Sequence, residues 1–187
     1  MIESKTLVLD PTGIEKIVEP LPLAPRPESL KGLTVGLVDY GRWRTFGVVL
    51  QHYRGVLKEQ YGVGEVIHLN SEREANDQGI SREVAVQRLA TKCNVVMLGL
   101  GRGSCTSGLV RHSIEFEKRG VPAVTFVTDW FLSMAEKVSK GAGLPNPNLV
   151  AVPHPFDGLP DAEAIEIADK LLGKAIAAIT AGPVVAE

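Results

Sequence analysis

Five consecutive residues, Gly101-Arg102-Gly103-Ser104-Cys105, carry the most direct chemistry in this chain. They follow an apolar run at residues 94–100 (NVVMLGL) and precede a segment of helical character at residues 106–119. A cysteine delivered by a glycine-rich turn to a helix start lies where backbone N–H groups and the helix dipole favour a thiolate. The same geometry suits an anion cradle, with Gly103, Ser104, Thr106 and Ser107 supplying the surrounding donors. Only two cysteines occur, Cys93 and Cys105. They flank the apolar run, and as a strand at ~3.3 Å per residue that run holds them roughly 20 Å apart. A disulfide needs Cα atoms within about 7 Å, so the two are not a redox pair within one chain.

Other reactive side chains fall just after apolar runs. Asp39, Arg42 and Arg44 follow residues 33–38, Thr128 and Asp129 follow residues 122–127, and His154 stands between Pro153 and Pro155 after Leu149–Val152. Arg42, Arg44 and Arg102 are candidates to clamp a substrate anion. Asp39, Asp129 and His154 are candidates to move a proton, Asp39 and Asp129 doubling as helix caps. His112 lies two helical turns, ~10 Å, beyond Cys105, which suits packing under the turn rather than acting as the direct base of that thiol. His52 and His68 read as structural. No His, Cys, Asp or Glu pair has metal-ligand spacing, so no metal is expected.

The elements that must position these residues alternate. Strands are expected at residues 33–40, 65–69, 94–100, 122–127 and 149–152. Helices are expected at residues 46–60, 81–92, 106–119, 129–140 and 161–180, with a polar loop over 70–79. Alternation of near-continuous apolar strands with helices predicts a three-layer α/β fold around a five-stranded parallel sheet of flavodoxin-like order 2-1-3-4-5. In that order the crevice lies between the first and third strands, beyond their carboxyl ends, which puts the Gly101–Cys105 turn beside Asp39, Arg42 and Arg44. The glycine pattern Gly99-Leu100-Gly101-Arg102-Gly103 follows the third strand and not the first, so no dinucleotide or other cofactor is expected.

At 187 residues the chain suits one α/β domain over residues 33–187, preceded by a Pro-rich arm at residues 1–32 with five of the twelve prolines. The formal net charge of -2 gives no basic footprint for nucleic acid. The apolar runs are strand-sized, too short to span a membrane, and MIESKTLVLD lacks the features of a signal peptide, so a cytoplasmic location is expected. The arm and the Ala/Ile-rich closing helix raise the expectation of a homo-oligomer.

Through LTVGLVDYG, NVVMLGLGRGSCTSGLVRHSIEFEKRGVPAVTFVTDWF, LVAVPHP and the opening VLDPTG, the chain resembles the UGSC-motif family, named for a selenocysteine-or-cysteine–Gly–Ser–Cys motif. The resemblance covers most of the chain and implies thiol or selenol chemistry. Gly103, Ser104 and Cys105 match the motif, while Arg102 stands at its first position. The loop Tyr40-Gly41-Arg42-Trp43-Arg44 also departs from the expected family segment. Without a second sulfur, a dithiol cycle has no resolving partner. The leading expectation is an enzyme using a single thiolate at Cys105 on a small anionic or carbonyl-containing molecule, of hydrolase or lyase type. Two alternatives stand beside it: a thiol-dependent oxidoreductase using an external thiol or partner protein, and a non-catalytic ligand-binding partner of a catalytic subunit.

Overall fold

The structure is a computed structural model that describes residues 19–181. The opening VLDPTG and the first half of the Pro-rich arm lie outside the described residues. Five parallel strands form one sheet in the order β2-β1-β3-β4-β5. They are β1 (Thr34–Asp39), β2 (Glu65–Asn70), β3 (Val95–Gly101), β4 (Ala123–Thr128) and β5 (Leu149–Val152). Every residue of β3 and β4 is buried, as strands covered on both faces must be.

Among the described residues six helices cover the sheet: α1 (Arg44–Glu59), α2 (Ser71–Gln78), α3 (Arg82–Ala90), α4 (Cys105–Lys118), α5 (Leu132–Gly141) and α6 (Asp161–Ile179). The two-residue strand period divides the core. Val35, Leu37, Val95, Met97, Val124 and Phe126 face α1 and α6, packing against Phe46, Tyr53, Leu57, Leu172 and Ile176. Val38, Val96 and Leu98 turn to the other face, against Leu89 of α3 and Leu109 and Phe116 of α4. Each fully buried large side chain contributes about 1.5–3 kcal/mol of transfer free energy before entropy is counted. The sheet order and strand positions expected from the sequence therefore hold.

One stretch expected as a polar loop is a helix. SEREANDQ has almost no apolar period, yet Ser71–Gln78 forms α2 because both ends are closed. The Asn70 side chain accepts from the Arg73 N–H at 3.0 Å, and Gly79 ends the helix in the left-handed conformation, with φ at 61°. Ser71 is fully buried and donates to the Asp39 carbonyl at 2.9 Å, tying α2 to the end of β1. The expected start of α5 at Asp129 is also corrected. Asp129–Phe131 is a single 3-10 turn whose side chains make no cap, and α5 begins at Leu132.

The described part of the arm packs on its own domain. Leu30 and Ala24 are buried, the Leu21 N–H donates to the Gly143 carbonyl, and the Pro27 carbonyl accepts from Ala181. Its anchor is Glu117, a carboxylate near the end of α4 that is only 3 % exposed. Glu117 takes two guanidinium bonds from Arg26 at 2.9 Å, the Ala24 N–H at 2.7 Å and the Ala123 N–H at 2.8 Å. A buried carboxylate so surrounded is compensated for its lost hydration.

Candidate functional site: a thiol cleft at the sheet switch point

Parallel order puts the carboxyl ends of all five strands on one edge. The register aligns Asp39 with Asn70, Val38 with Leu98, Gly101 with Val127 and Thr128 with Val152. Beyond β3 the chain turns through Gly103, whose φ of 92° is one that L side chains rarely adopt, and enters α4 at Cys105. The peptide bonds Gly99–Leu100 and His154–Pro155 at this edge are cis.

Cys105 is half-buried, and its sulfur is held by the turn. The Arg102 N–H reaches Sγ at 3.5 Å, and the thiol donates towards the carbonyls of Arg102 at 3.4 Å and Leu100 at 3.5 Å. Ser104 precedes α4 without capping it through its side chain, and Ser107 donates back to the Ser104 carbonyl at 3.2 Å. The thiol opens into a cleft of 210 Å³ lined by Tyr40, Arg42, Arg82, Ser104, Ser107 and Gly108.

Two cations border the cleft, in different states. Arg42 is held in a two-bond pair with Glu72 of α2, at 2.8 and 3.1 Å, which holds the Glu72 carboxyl below its usual range. Arg82 opens α3 and lies over the Tyr40 ring, with 4.8 Å from its guanidinium carbon to the ring centroid. No carboxylate pairs with Arg82 among the described residues. It is the cleft's uncommitted cation.

Tyr40 crosses the first turn of α4 to reach His112, with its hydroxyl 3.2 Å from Nδ1. This crossing depends on Gly108, where a Cβ would stand 2.6 Å from the tyrosine hydroxyl. Burial raises the Tyr40 phenol further above its usual range, so the hydroxyl stays protonated near neutral pH. Burial also lowers the His112 value; Arg82 adds to that, while Glu83 and Glu115 oppose it. A neutral His112 then accepts from Tyr40 through Nδ1, and its Nε2 side faces Glu83 at 4.0 Å.

The remaining candidates from the sequence lie elsewhere. Asp39 sits at the end of β1 as a structural acceptor. It takes the Gly41 N–H at 2.6 Å and a hydrogen bond from His68 Nε2 at 2.9 Å, and it does not cap α1, whose N-cap position is Trp43 and which has no side-chain cap. Arg44 is exposed and paired with Asp161 at 2.8 Å, bordering a different depression with Gln51 and His52. Thr128 is buried and donates to the Gly101 carbonyl at 3.4 Å, and Thr106 is buried beneath the turn. Asp129 is exposed at the end of β4, and His154 stacks on Trp130 at 4.2 Å. None of these six lines the thiol cleft.

Arg102 departs most from expectation. Its guanidinium was expected beside the thiol, yet only its backbone meets Sγ. Its side chain runs to the opposite side of the turn, 4.7 Å over the Trp43 ring and 3.6 Å from Asp157. The left-handed Gly103 turn carries α4 and Cys105 towards the face of α3, while the side chain of Arg102 remains on the side of α1. Arg82, Gly108 and the hydroxyl of Tyr40 were not singled out from the sequence. A signal existed for Arg82: a helix returning antiparallel to its strand starts on the same edge where the strands end.

A lone cysteine thus stands at the start of the helix after β3, facing a small cationic cleft at the switch point of a three-layer α/β domain. Among the described residues no group of three or more His, Cys, Asp or Glu side chains is arranged to hold a metal. None of the described helices is long and apolar enough to cross a membrane. The UGSC family model matches residues 7–181, and the chain belongs to that family. No curated protein matches it.

Proposed function

We propose that this chain is a cysteine-dependent enzyme that uses Cys105 on a small carboxylate carrying an electrophilic carbonyl carbon, in a hydrolase-type reaction. One observation carries the reading: the only thiol at the strand-end edge shares its cleft with an uncommitted guanidinium, Arg82, and a protonated phenol, Tyr40. Arg82 holds the carboxylate of the substrate. The Cys105 sulfur bonds to the carbonyl carbon, the C=O π pair moves onto oxygen, and the thiol proton passes to that oxygen through the Tyr40 hydroxyl. For this the Tyr40 hydroxyl turns from His112 Nδ1 to the developing alkoxide, as an oxyanion donor does. Loss of a leaving group with that proton gives a thioester. Water then adds, releasing the acid and restoring the S–H bond. An elimination, in which the Cys105 thiolate removes a proton beside the carbonyl and a β leaving group departs with the C–H electron pair, would use the same groups.

The absence of a second sulfur disfavours an internal dithiol cycle, because Cys93 lies at the far end of β3. It is buried, and desolvation pushes its thiol up to about 12. The test is intact-protein mass after incubation with a panel of small oxo-acids and carboxylic esters. The proposal expects an adduct on the Cys105 peptide that is absent from Cys105→Ala. An adduct that persists in Cys105→Ala, or turnover that requires added dithiol, contradicts it.

A further inference from the structure

Four polar atoms closed off from solvent at the strand-end edge have no hydrogen-bond partner among the described residues: Arg102 Nε, Trp43 Nε1, Thr106 Oγ1 and His154 Nδ1. Buried polar groups are nearly always paired, so a cluster of orphans calls for a missing partner. Two of them are neighbours. The Arg102 guanidinium lies 4.7 Å over the Trp43 ring, and both orphan atoms are N–H donors. The carboxylate nearest Arg102 is Asp157, whose oxygen stands 3.6 Å away, beyond the 3.2 Å of an N–H···O bond. The Asp157 loop is itself anchored, since the N–H of Gly158 donates to Thr45 Oγ1 at 3.0 Å. Asp157 therefore balances the charge of Arg102 without satisfying its donors.

We propose that Arg102 and Trp43 form a carboxylate-binding subsite on the α1 side of the Gly101–Cys105 turn, with Asp157 as the resident stand-in that an incoming carboxylate replaces. The charge balance sets the ligand class. One guanidinium already faced by one aspartate accommodates a monoanionic group that displaces it, whereas a phosphate dianion would meet net repulsion from Asp157. A planar carboxylate also has the two acceptor oxygens that a pair of N–H donors needs. The subsite does not depend on the chemistry assigned to Cys105, because the Arg102 side chain leaves the turn on the side opposite the thiol cleft.

The chain has two tryptophans, so Trp130→Phe leaves Trp43 as the sole indole reporter. Its fluorescence is titrated with sodium acetate and sodium propionate, against sodium chloride at matched ionic strength and against inorganic phosphate. The proposal expects a saturable change with the carboxylates and none with chloride. Added Arg102→Gln weakens binding by about tenfold or more, the scale of a lost charged hydrogen bond. Added Asp157→Asn removes the competitor and strengthens it, which keeps the test decisive if Arg102→Gln misfolds. A signal that never saturates, equal binding with Arg102→Gln, unchanged or weaker binding with Asp157→Asn, or tighter binding of phosphate than of carboxylate overturns it. Because the readout is Trp43 and not Cys105, failure here is distinguishable from failure of the thiol mechanism.

Discussion

Cys105 was legible because its position depends on local chain logic: an apolar strand, a glycine-permitted turn and a helix start. Arg102 was not legible in the same way. Its direction follows from backbone dihedrals in a turn that Gly103 takes through φ 92°, and residue spacing carries no record of that choice. Tyr40 and His112 became linked only once β1 and α4 were placed side by side. Their pairing has a pH consequence. Burial lowers the His112 value from its ordinary 6.5. As pH falls below 6.5, the unfolded chain takes up the proton first, so folded stability declines until the lower folded value is passed. Urea midpoints measured from pH 7.5 to pH 5 are expected to fall with acidity, about these ordinary histidine values, and His112→Gln is expected to flatten that slope. An identical slope in the variant would remove His112 from the explanation.

At the scale of elements, periodicity located the five strands and five of the six helices, because their apolar faces must meet a two-sided sheet. It missed α2, whose stability comes from its caps at Asn70 and Gly79 and from the buried Ser71 rather than from an apolar stripe. It also left the role of EFEKRGVPAV open. Within that segment, Glu117 joins α4, the start of β4 and the arm through Arg26, Ala24 and Ala123. Removing one partner of a buried ion pair costs about 3–5 kcal/mol, because the other charge is stranded. Glu117→Ala is therefore expected to lower the unfolding free energy by about 3 kcal/mol or more, read from urea denaturation. A loss within the ~0.5 kcal/mol typical of surface substitutions would show that Glu117 does not anchor the arm.

At the scale of the whole molecule, the sheet order legible in the sequence was enough to locate the crevice, and the Gly101–Cys105 turn divides that crevice in two. One side holds the thiol with Arg82 and Tyr40; the other holds Arg102 with Trp43 and Asp157. The features that raised the expectation of a homo-oligomer are used within one chain. Residues 19–32 pack on the domain, and the apolar face of α6 is buried against α1 and the sheet. A homo-oligomer would need another surface, for which exposed Trp130, at 75 % exposure, is the foremost apolar residue. The central claim is that Cys105 is the reactive thiol of an anion-binding cleft. Its most direct test compares alkylation of Cys105 by anionic iodoacetate with that by neutral iodoacetamide, using glutathione as the reference thiol and peptide mass as the readout. The account predicts labelling at Cys105 and not at Cys93, an iodoacetate preference several-fold above that of glutathione, and loss of that preference with Arg82→Gln, in line with electrostatic steering of about tenfold. An unreactive Cys105, or a preference equal to that of glutathione and unchanged by Arg82→Gln, would contradict it.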